Sequence, residues 1–344
     1  MKTDRLFLNA CRREPTSRTP LWLMRQAGRF MPEYRALRSK VTFLELCKNP
    51  DLAAEVTVFA ARKLGVDAAI IFSDILLIVE PLGFTLSFAK DHGPVIGNPY
   101  RRKKDLAPVS GDEIKEHLSF VFDAIRRSRK NLPEEIPLIG FAGAPFTVAS
   151  YIVEGGKSKD FTRIKEMMLK APDVFSHLMD VLAEGTADYL EAQVEAGAEA
   201  IQLFDSWVGM LTLEQYRTFV FPALKKIIER LKGKAPVIYF GLNTSHLFPA
   251  VKESGADVVG IDSKTSLSKA WKALGNVALQ GNLDPEILLG PEKKIVAAAK
   301  KILTEAGGRP GHIFNLGHGV LPQTPVENAV FLVETVKRLS QKKD

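Results

Sequence analysis

Cysteine is scarce in this chain: of 344 residues, only Cys11 and Cys47 are cysteine. Neither falls in a CxxC pair or a Cys/His cluster, which argues against structural zinc and predicts two free thiols in a reducing compartment. Long apolar runs are missing as well; none approaches the roughly 18–20 residues of a membrane span. The first residues have no unbroken apolar stretch of the secretory kind, because Lys2, Asp4, Arg5, Asn9, Arg12, Arg13 and Glu14 interrupt them. A cytoplasmic location is the expectation, with no membrane partner. No GxGxxG follows an apolar run, which counts against a dinucleotide-binding sheet. The net charge of +7 suits an acidic partner. The interleaved aromatics and repeated basic modules of a nucleic-acid binder are lacking, so no nucleic-acid partner is expected. The densest basic run, Arg101-Arg102-Lys103-Lys104, follows the Pro/Gly-rich DHGPVIGNPY and reads as a solvated loop.

What is present is regular. Hydrophobic residues make up 46% of the chain and charged residues 25%, a globular composition long enough to bury a large core. Eight short apolar runs recur: LWLM at 21–24, AAIIF at 68–72, PLIGF at 137–141, AIQLF at 200–204, VIYF at 237–240, VVGI at 258–261, VALQG at 277–281 and HIFNLG at 312–317. Runs without polar alternation suit strands buried on both faces. Helix-start signals stand between them: Asn49-Pro50, Ser110-Gly111-Asp112-Glu113, Thr212-Leu213-Glu214-Gln215, Asp284-Pro285 and Thr324-Pro325-Val326-Glu327. Val326, Ala329, Val330, Val333 and Val336 make one apolar stripe in the last helix. Eight strand–helix repeats predict an α/β fold, a closed (β/α)8 TIM barrel in a single domain over residues 1–344. The long crossover between the second and third runs predicts an excursion or extra hairpin within 80–110.

Sites in such barrels lie at the C-terminal ends of the strands. There the sequence sets Arg25-Gln26-Ala27-Gly28-Arg29, Ser73-Asp74, Ala142-Gly143-Ala144-Pro145 with Tyr151 beyond, Asp205-Ser206-Trp207, Asn243-Thr244, Asp262, Asn282 with Asp284, and Gly317-His318-Gly319. Four arginines, Arg25, Arg29, Arg35 and Arg38, crowd the segment after the first run. Arginine stays charged and grips carboxylate or phosphate bidentately, so several at one mouth predict a polyanionic substrate. LGHGV matches a phosphate cradle only weakly. For Arg35 and Arg38 the alternative is surface ion pairing with Glu33 or Glu45. Asp74 either acts in binding or acid/base chemistry or offsets Arg25 or Arg29.

The block PLWLMRQAGRFMPEYR (20–35) closely resembles the N-terminal signature of the uroporphyrinogen decarboxylase family, and GFAGAPFTVASYIVEGG (140–156) its second signature. AAIIFSDIL, IQLFDSW and FNLGHGVLPQTP match further blocks in family order. The resemblance implies a cofactor-free carboxy-lyase that converts the four acetates of uroporphyrinogen to methyl groups, giving coproporphyrinogen. It implies no metal and a homodimer. The substrate carries eight carboxylates and four pyrrole N–H groups. In that reading Arg25, Arg29 and Arg38 bind carboxylates, and Arg25 lies nearest the reacting acetate. Gln26 adds a polar contact, and Asp74 receives the N–H groups. Phe141 and Phe204 wall the macrocycle, Tyr151 and Ser206 hydrogen-bond carboxylates, and His318 binds a propionate or shuttles a proton. Arg25, Arg29 and Asp74 are the implied catalytic set. The nearest rival is a methyltransferase of the same superfamily with a thiol-activating zinc, but the final runs carry His318 and no cysteine. A tetrapyrrole carrier is the rival from a different class.

Overall fold

Burial on both faces turns the apolar runs into strands, as a parallel sheet requires. The computed structural model describes residues 5–89, 93–107 and 109–342. It contains β1 (Ala69–Ile70), β2 (Leu86–Ala89), β3 (Gly93–Ile96), β4 (Leu138–Gly143), β5 (Ala200–Asp205), β6 (Val237–Gly241), β7 (Val258–Gly260), β8 (Ala278–Gln280) and β9 (His312–Ile313). β1 and β4 to β9 form one parallel sheet whose spatial order follows the chain, with helices between successive strands. β4, β6, β7 and β8 are buried along their whole length. The fold is therefore α/β with a parallel sheet in sequential order.

Seven of the eight runs become strands of this sheet. The first, LWLM, does not. Only Leu21 pairs, in an isolated parallel bridge to Phe314. Side chains take the place of a ladder. Asp67 accepts from Leu21 N at 3.0 Å, Asn315 from Met24 N at 2.9 Å, and Gln26 from Leu23 N at 3.2 Å. With most of its N–H groups taken by side chains, the segment keeps only scattered backbone bonds in place of a continuous ladder, from Trp22 N to Phe314 O at 3.4 Å, Phe314 N to Pro20 O at 2.8 Å and Asp67 N to Leu21 O at 2.8 Å.

Helix starts follow their signals with two corrections. Asn49 caps the helix Pro50–Leu64, and Ser110 and Thr212 form capping boxes. Asp284 caps only a 3₁₀ turn, Pro285–Leu289; the α-helix starts later, at Glu292. The last helix, Val326–Ser340, has Pro325 rather than Thr324 at its cap. Of its predicted stripe, Val326, Ala329, Val333 and Val336 are buried and Val330 is half-buried.

The excursion between β1 and β4 is the antiparallel hairpin β2–β3. It is anchored on the loop after the helix Pro145–Glu154. Ile96 N donates to Gly155 O at 3.0 Å, and Val95 bridges Gly156. Gly156 has φ +147°, and a Cβ there would stand 2.7 Å from Pro94 O, so only glycine fits. The basic run at 101–104 is exposed, as a solvated loop should be, and two of its side chains are tied down. Arg101 donates to Val153 O at 2.6 Å, and Lys103 pairs with Asp173 at 3.0 Å.

One face of the sheet carries two layers that position the site. Gln202 and Phe204 share that face at a spacing of two. Lower down, Trp22 Nε1 donates to Gln280 Oε1 (2.8 Å), and Gln280 Nε2 donates to Gln202 Oε1 (3.0 Å). Above them lie Phe141, Phe204 and Phe240. Phe204 is registered beside Phe240 and meets Phe141 edge-on at 5.5 Å. The polar layer is fully bonded, and the aromatic layer faces the cleft.

Candidate active site

The backbone turns sharply after Met24. Arg25 takes φ +62°, a left-handed conformation rare for a residue with a side chain. Gln26 N closes the turn on Leu23 O at 2.9 Å. The Gln26 amide is fully buried and donates to Ala68 O at 3.2 Å. The expected contact from Gln26 to substrate is thus corrected: its side chain points into the core and holds the turn that projects Arg25. The stem of Arg25 lies on Gly319, where an added Cβ would stand 2.3 Å from Arg25 Cδ. The first segment and the loop after β9 therefore meet at Arg25.

That turn opens onto a cleft of about 1710 Å³. Arg25, Arg29, Arg35, Arg38, Lys40 and Lys157 line it, against two carboxylates, Asp74 and Glu45. Among the described residues no carboxylate lies within 4.0 Å of Arg25, Arg29, Arg38, Lys40 or Lys157. The ion-pair alternative for Arg35 and Arg38 does not hold. Arg35 donates to Arg29 O and Phe30 O, both at 2.9 Å, and so shapes the loop. Arg38 donates to Val41 O and stands 5.9 Å over the Phe43 ring. Glu33 pairs with Lys63 instead, and Glu45 closes the capping box on Thr42.

Asp74 stands half-buried in the cleft wall just beyond β1. Its Oδ1 accepts from Leu76 N at 2.8 Å. Burial pushes its pKa from 3.8 up to about 6, against the pull of the Leu76 N–H and the charge of Arg25. Among the described residues no cation comes within ion-pair distance of it, so it is no mere counter-ion. Burial and the neighbouring Arg29 lower the pKa of Arg25. Burial, then Arg25, hold His318 below 6.5, so its imidazole is neutral at neutral pH. Burial raises the pKa of Tyr151.

Phe141, Phe204, Tyr151 and Ser206 all line the same cleft. The Tyr151 ring stands 6.1 Å from Trp207. Other strand-end polar groups are committed to loop backbone. Asp262 accepts from Asn243 N (2.6 Å) and Lys264 N (3.0 Å). Asn282 donates to Asp262 O (2.7 Å) and Thr265 O (2.6 Å). The chemistry thus gathers after the first segment and after β1, β4, β5 and β9. Lys40, Lys157 and the hairpin residues Ser87, Phe88, Gly93 and Pro94 join the lining without having been foreseen. The long crossover signalled a hairpin, but nothing in its periodicity gives the direction in which it folds. Among the described residues no three His, Cys, Asp or Glu side chains cluster as a metal site, and no helix is long and apolar enough to cross a membrane.

Comparison with known proteins gives concordant results. The family model described as uroporphyrinogen decarboxylase matches residues 2–339. A uroporphyrinogen decarboxylase of Carboxydothermus hydrogenoformans is 51% identical over 336 residues, covering 97% of this chain and 96% of that protein. One from Sorangium cellulosum is 51% identical, covering 96% and 95%. Among solved structures, a methyltransferase from Methanosarcina mazei superposes with a TM-score of 0.82 at 22% identity, over 98% of both chains. That likeness is one of fold alone.

Proposed function

The chain belongs to the uroporphyrinogen decarboxylase family, and from that premise we propose that it converts uroporphyrinogen III to coproporphyrinogen III by removing carbon dioxide from the four acetates, without a cofactor. The observation that carries this reading is the cleft, in which six cations and two carboxylates, Asp74 and the helix-capping Glu45, surround an aromatic floor. Eight substrate carboxylates match the cations. The four converging pyrrole N–H groups match Asp74, the carboxylate not engaged in a capping box. The macrocycle matches Phe141, Phe204 and Phe240.

Loss of carbon dioxide leaves an electron pair on the methylene carbon, and the pyrrole is the sink. A proton added to a ring carbon makes the ring cationic. The carbon–carboxylate bond then breaks, and its electron pair forms an exocyclic double bond that neutralises the ring. Protonation of the methylene and release of the ring proton give the methyl group. Each acetate thus consumes one proton and releases one carbon dioxide.

Asp74 accepts the pyrrole N–H groups and stabilises the ring cation. Substrate binding itself draws the Asp74 pKa down, because N–H donors favour the ionised form. Arg25 and Arg29 hold the reacting acetate, and Arg38 holds a further carboxylate. Arg25 orients rather than protonates, since a guanidinium is a poor acid even when its pKa is lowered. Tyr151 and Ser206 hydrogen-bond carboxylates. His318 enters uncharged and serves as a hydrogen-bond partner or relay.

The same reading makes the chain one catalytic domain over 1–344, with its sheet closed as a (β/α)8 barrel. Closure is supported by Asp67 N donating to Leu21 O at 2.8 Å and Phe314 N to Pro20 O at 2.8 Å, contacts that tie the residues just before β1 and just after β9 to the first segment. It also makes the protein a cytoplasmic homodimer, for which light scattering at micromolar concentration is the check. The decisive experiment is anaerobic incubation of metal-stripped protein with uroporphyrinogen, resolving products by carboxylate count. Stepwise seven-, six-, five- and four-carboxylate products are expected. Tight binding without turnover would replace the enzyme with a carrier.

A further inference from the structure

A second carboxylate, Asp205, lies behind the cleft wall, on the face of β5 opposite Phe204, and outside the mechanism above. It is fully buried and has no cation within ion-pair distance among the described residues. Two hydroxyls satisfy it. Thr147 Oγ1 donates to Oδ1 at 2.7 Å, and Tyr239 OH donates to Oδ2 at 2.9 Å. Tyr216 OH donates in turn to Tyr239 OH at 3.2 Å. Every donor in this chain points toward Asp205.

Thr147 has a second bond. Its Oγ1 accepts from Trp207 N at 3.3 Å. One hydroxyl therefore ties the carboxylate of Asp205 to the backbone two residues later, with Ser206 between them. Thr147 lies on the helix Pro145–Glu154, four residues before Tyr151, so the two side chains share one helix face. The Tyr151 ring meets the Trp207 ring at 6.1 Å, and Trp207 meets Phe161 at 5.1 Å. Two elements that each send a side chain into the cleft are thus fastened together at a buried point behind its wall.

We propose that Asp205, acting through Thr147, is a positioning residue that fixes the loop of Ser206 relative to the helix of Tyr151. This rests on the reading of the cleft as a uroporphyrinogen decarboxylase site. The clamp sets the separation of two carboxylate-binding groups, so it governs substrate affinity more than the chemical step. A buried polar network with every member bonded has one low-energy arrangement, which is what two ligands on different elements need.

The test is steady-state kinetics of the full chain with uroporphyrinogen. T147V removes the hydroxyl at nearly constant volume, and T147S keeps it. T147V is expected to raise KM about tenfold with a smaller change in kcat, and T147S to return KM to within about twofold of the parent. In a double-mutant cycle, T147V added to S206A should cost much less than T147V alone, because both act through one contact. Y239F, which removes the other donor to Asp205, should raise KM in the same direction and serves if T147V does not fold. Parental turnover with unchanged KM in T147V, or in Y239F where T147V does not fold, overturns the clamp while leaving the decarboxylase reading intact. So does an additive cycle. Absence of turnover in the parent overturns the decarboxylase reading itself.

Discussion

Asp74 is where burial and function oppose each other. Its folded pKa of about 6 lies above the ordinary 3.8, so the folded chain binds this proton more tightly than the unfolded chain. Its contribution to stability therefore falls as pH rises from about 4 to about 6 and stays low above that. Asp74→Asn cannot ionise. At pH 8 it is expected to unfold at higher denaturant than the parent, by about 1–2 kcal/mol after allowing for the open cleft. The same variant should lose at least about a hundredfold in turnover, since the ring cation loses its counter-charge. Near-parental turnover would refute that role. For the parent, kcat/KM should fall about tenfold per pH unit below about 6, as Asp74 takes its proton in the free enzyme. His318→Asn should leave that acid limb in place. A limb that disappears with His318 would assign it to the imidazole.

The residue types of this site were legible in the sequence, and their company was not. Arg25, Arg29, Asp74, Tyr151, Ser206 and His318 all reach one cleft, because each follows an apolar run and these runs, strands or not, lie parallel with their ends together. Gln26 follows the same strand-end logic but turns inward. The left-handed turn at Arg25 rotates its neighbour into the core, and no periodicity encodes that. Asp205 resembled a site residue for the same reason. It follows Phe204 in β5 and so points to the opposite face of the sheet, where its carboxylate meets Thr147 and Tyr239 behind the cleft wall.

At the scale of elements, the capping boxes at Ser110 and Thr212 formed as read, because capping is a local contest within four residues. The hairpin β2–β3 is not local. It completes the cleft wall only because Gly155 and Gly156 let it approach the loop after the helix Pro145–Glu154. Gly156→Ala is expected to push Pro94 away by steric contact, costing about 1–3 kcal/mol. It should raise KM for uroporphyrinogen several-fold, since Pro94 and Lys157 both line the cleft. Faster hydrogen exchange confined to 93–97 and 155–158 would register the detachment, and unchanged exchange would count against this anchoring.

At the scale of the molecule, one latch holds the first segment, the first strand and the last helix together. Arg18 grips Asp67 bidentately, both bonds at 2.6 Å. Asp67 also accepts from Leu21 N at 3.0 Å, and Lys337 stands 3.9 Å away. Asp67→Ala leaves a largely buried guanidinium without its partner and should destabilise by about 3 kcal/mol or more. A lowered midpoint in urea with an unchanged m-value is the expected record; a midpoint equal to the parent's would show the latch to be dispensable. The cleft as a whole carries six cations against two carboxylates. KM for uroporphyrinogen should therefore rise with salt between low and physiological ionic strength, as screening weakens attraction for a polyanion.

The sequence alone determined the class of fold and the chemistry. Alternation of buried apolar runs with capped helices is a local pattern, and the arginine-rich and FSD-containing blocks carry the family identity within a few residues each. Only the tertiary structure decided which polar groups face the cleft, which satisfy loops, and how the first segment meets both edges of the sheet. Those outcomes depend on turn angles, strand register and close approaches such as Gly319 against Arg25. Such contacts join residues hundreds of positions apart, and no neighbouring stretch of sequence constrains them.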